Sequence, residues 1–136
     1  MLNPKEIITQ RPGAIYKVPF YKITSEGLTD DERSPIPFHF VKGDKSDESA
    51  FRQSGFVTET LLVICKTYLE DVNTGAMQCE ETSSAIMFIQ KAIECIDARA
   101  AKRKAAGVQG TYQPTPKPSG DDELQAGYGP VIGEPI

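Results

Sequence analysis

The stretch ETSSAIMFIQKAIECIDARAAKRKAAGVQGT, Glu81–Thr111, decides the fold. Ala85, Ile86, Ile89, Ala92, Ile93, Ile96 and Ala100 recur close to the a and d positions of a heptad. That spacing predicts a helix from Glu81 or Thr82 to about Ala106. Phe88, Ala92 and Cys95, with Met87 beside them, form a shorter second stripe. A helix apolar on more than one side cannot be covered by one partner helix.

Upstream, Leu61, Leu62, Cys65, Tyr68, Leu69 and Val72 share one helical face and predict a first helix over Thr58–Val72. Ser54 or Thr58 is a candidate cap, and Gly75 in NTGAMQ ends the segment. The first helix takes the a/d face of the second in an antiparallel hairpin. The remaining apolar face is covered most simply by another copy of the chain.

The N-terminal part reads differently. Met1–Gln10 is weakly patterned and is expected to be an arm or a helical turn. GAIYKVPFYKI, Gly13–Ile23, is rich in β-branched and aromatic residues, but Pro19 restricts it to an edge or irregular strand. SEGLTDDERSP is polar and reads as a loop. IPFHFVKG alternates Ile36, Phe38 and Phe40 with Pro37, His39 and Val41, which is a strand signature. The two strand-like stretches form a small antiparallel hairpin or clasp, and GDKSDESAFRQS follows as a loop. From Gln113 proline, glycine and acidic residues dominate, which predicts a flexible tail.

The expected fold class is therefore α+β. Short antiparallel N-terminal strands occupy 1–53, a two-helix hairpin 54–112, and a Pro/Gly-rich tail 113–136.

At 136 residues the chain supports at most one domain, and 39% hydrophobic residues without tryptophan allow only a thin core. Self-association is expected on that ground. A net charge of −4 and a pI near 5.0 argue against a general binder of nucleic-acid polymers. Cys65, Cys79 and Cys95 form no CxxC pair, and one histidine, His39, does not complete a zinc set. No metal or cofactor is expected. MLNPKEIITQ lacks the apolar run of a signal peptide, and no segment is apolar enough to span a membrane. The expected location is the cytoplasm.

The apolar seam ends in Arg99 and Arg103, four apart and so on one face. Cations in a last turn are favoured by the macrodipole alone, and Gly107 is an ordinary helix stop. The sharper reading is an anion site. Guanidinium groups fit phosphate oxygens, and Gly107 and Gly110, bracketing Val108 and Gln109, let a turn present N–H groups with the Thr111 hydroxyl beside them. An antiparallel neighbour would bring its own helix start, Cys79 to Thr82, near Arg99. Catalysis finds no support. His39 suits the polar face of a strand, Glu80 and Glu81 suit a helix start, and nothing activates Ser83, Ser84 or a cysteine.

Taken together, Gly55–Thr111 resembles the helical-hairpin proteins of bacteriophages that sequester immune second messengers, the cyclic-nucleotide sponges that counter Thoeris and CBASS defence. Gly55, Glu59, Leu61 and Leu62 fit the first helix of that pattern. Cys79, Glu81, Ala85, Ile86, Ile89, Ala92, Ile93 and Ile96 follow in register, then Arg99, Arg103, Gly107, Val108, Gly110 and Thr111. Departures are Cys95 in place of an aromatic residue, Ala100 in place of Thr, Thr82 in place of Asn, and Val72 in place of an aromatic residue.

The resemblance implies a non-enzymatic protein of the host cytoplasm, built from dimers that assemble into hexamers with ligand pockets between protomers. It implies retention of cyclic ADP-ribose isomers or cyclic oligonucleotides without cleavage. Arg99 is then the phosphate partner, Arg103 its support or a residue of a second site, Gly107–Thr111 the loop over the ligand, and Thr82 the helix-start contact. On chemistry alone, Lys17, Tyr21 or Phe38 of the strands are candidates to close the pocket. The rival expectation is a small oligomeric phage assembly or interaction module.

Overall fold

The computed structural model describes residues 3–116. The expected tail beyond Pro116 lies outside the described residues. The fold is α+β, and the described residues form five short antiparallel strands in two sheets followed by two helices. The strands are β1 (Ile8–Arg11), β2 (Ile15–Val18), β3 (Tyr21–Thr24), β4 (Gly27–Asp30) and β5 (Ile36–His39); the helices are α1 (Thr58–Val72) and α2 (Glu80–Ala105). The chain forms two compact units. Residues up to Lys42 together with Phe51–Val57 make one, and Gly43–Ala50 with the chain from Thr58 onward makes the other.

In the first unit β2 lies between β1 and β5, antiparallel to both, with Tyr16 opposite Phe38. The expected pairing of the two strand-like stretches is thus present. Three details differ from the sequence reading. The expected arm Met1–Gln10 supplies most of β1, Ile8 to Gln10. The run from Gly13 to Ile23 is two strands, because Pro19 has no amide to donate to a ladder. The polar stretch after Ser25 holds β4, which pairs with β3 across a tight turn at Ser25 and Glu26. Polar composition hid β4, since only Leu28 is apolar in it and it stands opposite Ile23.

Ala14 is the one fully buried hydrophobic residue among those described. The centre of this unit is instead a half-exposed aromatic cluster. Phe38 stacks on Phe56 at 5.1 Å between ring centroids and meets Phe40 edge-on at 5.5 Å, and Tyr16 meets Phe40 at 5.9 Å. Gln53 ties the cluster's backbone together, donating through Nε2 to the carbonyls of Ala14 (3.1 Å) and Phe40 (2.8 Å). A Cβ on Gly55 would lie 2.5 Å from the His39 carbonyl oxygen, so the glycine lets the chain pass against β5.

In the second unit α1 matches its predicted bounds and α2 starts one residue earlier than expected. The helices pack on each other, joined by a corner that contains one 3-10 turn at Gly75–Met77. Asn73 builds that corner. Its Oδ1 accepts from the Cys79 amide (3.0 Å), and its Nδ2 donates to Ser83 Oγ (3.0 Å).

Ala85, Ile86, Ile89, Ala92, Ile93, Ile96 and Ala100 are all half-buried, as the seam requires. Leu61, Leu62 and Leu69 are half-buried on α1. Cys65, Tyr68 and Val72 are exposed, unlike the single face drawn from the sequence. One straight helix packed on another covers a narrow stripe, and the α1 apolar arc is wider than that. No described helix is long and apolar enough to cross a membrane.

Candidate functional site

The C-terminal end of α2 explains the two glycines. Gly107, at φ +71°, donates to the Lys104 carbonyl (3.1 Å), and Val108 donates to the Arg103 carbonyl (3.0 Å). This pair of bonds closes a helix with a left-handed residue that favours glycine. The chain then turns again. Thr111 N donates to the Val108 carbonyl (3.1 Å) with Gly110 at φ +76°, the geometry of a type II turn with glycine in its third position. The first glycine stops the helix and the second reverses the loop.

Arg103 lies inside that loop and is only 4% exposed. Its Nη2 donates to the carbonyls of Val108 (3.0 Å) and Thr111 (2.7 Å), and its Nη1 to the Gln113 carbonyl (2.8 Å) and Thr115 Oγ1 (3.0 Å). A guanidinium has donors only, in a rigid fork, so it organises a ring of carbonyls well. Arg103 therefore supports the loop. Thr111, also 4% exposed, directs its hydroxyl to the Val108 carbonyl (2.6 Å), with Gln113 N donating back to it (3.2 Å). That hydroxyl was expected to serve a ligand and here serves the turn.

Arg99 is half-buried, one turn earlier on the same face. Val108 is half-buried, while Gly107 and Gly110 are exposed. The amides of Gly107, Val108, Thr111, Tyr112 and Gln113 are used within the fold.

Thr82 sits at the other end of α2, its hydroxyl 3.0 Å from Cys79 Sγ. At 1.5 Å rise per residue it stands roughly 25 Å from Arg99 along the helix axis. One chain therefore does not bring the predicted residues together; Arg103 and Gly107–Thr111 cluster, Arg99 stands one helical turn back on α2, and Thr82 is remote. A hollow of about 440 Å³ lies at the Thr82 end, lined by Glu80, Glu81, Ser84, Ala85 and Phe88. Its carboxylates make it a poor anion site by itself. Of the strand candidates, Phe38 is packed in the aromatic cluster. Lys17 and Tyr21 are half-buried, and the Tyr21 phenol is pushed above its ordinary pKa by burial, then by Asp30 and Glu6.

Two contributors escaped the sequence reading. Asp44 Oδ2 accepts the Tyr112 amide at 2.9 Å, and the Lys45 amide donates to the Gly110 carbonyl at 2.7 Å. The local signal was present, because Asp44–Ser46 and Asp47–Ser49 repeat the Asp-x-Ser pattern of side-chain-closed turns, and both turns form. Nothing local foretells a partner 68 residues away. Among the described residues no group of three or more His, Cys, Asp or Glu is placed to hold a metal. The chain matches no protein-family model and no curated protein sequence.

Proposed function

We propose that this chain is a phage anti-defence protein that binds cyclic nucleotide immune messengers, cyclic ADP-ribose isomers or cyclic oligonucleotides, and holds them without cleavage. The reading rests on one observation. The apolar seam of α2 runs into Arg99 and Arg103 and then into a doubly turned glycine loop that is held from inside by the Arg103 guanidinium. Arg99 pairs with a phosphate, Arg103 keeps the loop in shape, and Gly107, Val108, Gly110 and Thr111 form the wall above the ligand. Charge-assisted bonds to phosphate are stronger than neutral ones.

Thr82 comes from a neighbouring protomer, since its own chain holds it at the far end of α2. Homo-oligomerisation, as dimers assembled into a hexamer in the host cytoplasm, follows from the same reading. It is supported by Phe88 and Tyr68, which are 65% and 63% exposed on the helices. A sponge needs no turnover, so the reading calls for no catalytic residue, metal or cofactor.

Calorimetric titration with cyclic ADP-ribose isomers and cyclic di- and trinucleotides tests this, followed by heat denaturation and chromatography of the released ligand. Tight binding with intact ligand returned is the expected result. An altered ligand would mean an enzyme, and no binding across the panel would remove the sponge.

A second reading has an observation of its own. Arg103 is satisfied by its own loop, and the hollow on α2 is acidic. A small oligomeric phage assembly or interaction module accounts for both without a ligand. In that case replacing Arg99 with Ala weakens assembly rather than nucleotide affinity.

A further inference from the structure

We infer that Asp44 is a positioning residue for the glycine loop, and that the Gly43–Ala50 strap carrying it belongs to the ligand site. The inference rests on reading that loop as the messenger site.

Asp44 is only 8% exposed although it stands in a polar, loop-like stretch. A carboxylate leaves water at a high cost unless its oxygens are bonded. Oδ1 accepts from Ser46 N (2.8 Å) and Ser46 Oγ (2.5 Å), which shapes the strap, and Oδ2 accepts from Tyr112 N (2.9 Å). The next residue adds a second tie, Lys45 N to the Gly110 carbonyl (2.7 Å), and the Lys45 side chain lies over Gly110. The strap thus grips the residues on both sides of Thr111.

Ending the helix does not require these ties. The bonds of Gly107 and Val108 already close α2, and the turn from Val108 to Thr111 has its own backbone bond. Asp44 acts beyond them. Its polarity also complements Arg103: the guanidinium can fix only acceptors, whereas the carboxylate fixes an amide donor. Held by both, the loop is ordered during folding, and that ordering is not left to oppose binding. The Gln109 and Gly110 amides then meet a phosphate in a fixed arrangement.

The test uses the full chain and compares the natural protein with Asp44→Ala and Asp44→Asn. Each is titrated with the nucleotide panel above. Amide exchange at Tyr112 is followed by NMR, and helix content by circular dichroism. The expected result for Asp44→Ala is unchanged helix content, faster exchange at Tyr112, and affinity lower by about tenfold, the scale of reordering a short loop on binding. Asp44→Asn, whose amide oxygen can still accept from Tyr112, recovers some of both, and carries the test if the alanine variant does not fold.

Unchanged exchange at Tyr112 would overturn the inference, and so would faster exchange with unchanged affinity. If the natural protein binds nothing in the panel, the messenger reading fails and the positioning role falls with it. If it binds and both variants bind equally well, only the role of Asp44 fails.

Discussion

Arg103 Nη2 donates to the Thr111 carbonyl oxygen at 2.7 Å, eight residues further along the chain. That bond brings the loop back over the end of α2. Three further oxygens, of Val108, Gln113 and Thr115, complete the ring around the guanidinium.

Arg99 and Arg103, alike in the sequence, should respond differently to replacement. Arg103→Ala leaves several loop oxygens without a donor and should cost about 2–4 kcal/mol of stability. Arg103→Lys should recover little, because an ammonium does not span the same ring. Arg99→Ala should lower nucleotide affinity by about 2–5 kcal/mol, with a smaller loss of stability than Arg103→Ala, because Arg99 is only half-buried. Urea unfolding and calorimetry, run side by side, separate the two. A stability loss for Arg99→Ala as large as that for Arg103→Ala would contradict this division.

Three glycines should rank by their surroundings. Gly107→Ala meets open space and carries only the left-handed penalty, about 1 kcal/mol. Gly110→Ala carries the same penalty, and its Cβ would also lie 3.2 Å from Lys45 Cδ, a flexible neighbour that can shift. Gly55→Ala would place a Cβ 2.5 Å from backbone atoms of His39 and Phe40, which cannot shift without opening the β5 region. Thermal midpoints should fall in that order, with Gly55→Ala lowest.

The apolar residues left exposed on the helices give the proposed self-association a direct test. If the chain self-associates as proposed, Tyr68→Glu and Phe88→Glu, each at an exposed apolar position, should give a smaller species than the natural chain in sedimentation velocity without lowering helix content. A particle mass that stays constant in both variants would remove a second copy from these faces.

Acid should act on the pair formed by Asp31 and Arg33. Arg33 donates through Nε (2.8 Å) and its backbone amide (2.9 Å) to Asp31, and its side-chain bond is the largest cause holding that carboxyl at about 2, below the ordinary 3.8. Because the folded value lies below the unfolded one, the stabilisation is present above about pH 4. It is lost as pH falls from there through 2. Glu32, paired with Lys22, and Asp47, bonded by Ser49, are shifted the same way. Asp31→Asn should flatten the fall in unfolding midpoint between pH 4 and 2, and an unchanged slope would show that the pair contributes nothing.

How much was legible depended on how local each cause was. The bounds of both helices followed from periodicity, because apolar residues recur at helical spacing, Leu61, Leu62 and Leu69 in α1 and Ala and Ile in α2. The a/d stripe of α2 is the half-buried one for the same reason. The outward position of Cys65, Tyr68 and Val72 was not legible, since an arc of apolar residues does not say which of them a single neighbour will cover. β4 was missed because a two-residue turn and a facing strand, not side-chain patterning, make it a strand.

At the site, the sequence alone determined that cations end the seam and that Gly107 and Gly110 follow, because helix stops and left-handed turns select residues locally. Only the tertiary structure decided what Arg103 touches, that Thr111 turns its hydroxyl inward, and that Asp44 and Lys45 reach Tyr112 and Gly110. Those contacts join residues distant in the chain, and a hydrogen bond between distant groups leaves no periodic trace in either partner's neighbourhood. The distance between Thr82 and Arg99 follows the same logic. A helix is stiff, so residues of one candidate site at its two ends can meet only through another chain.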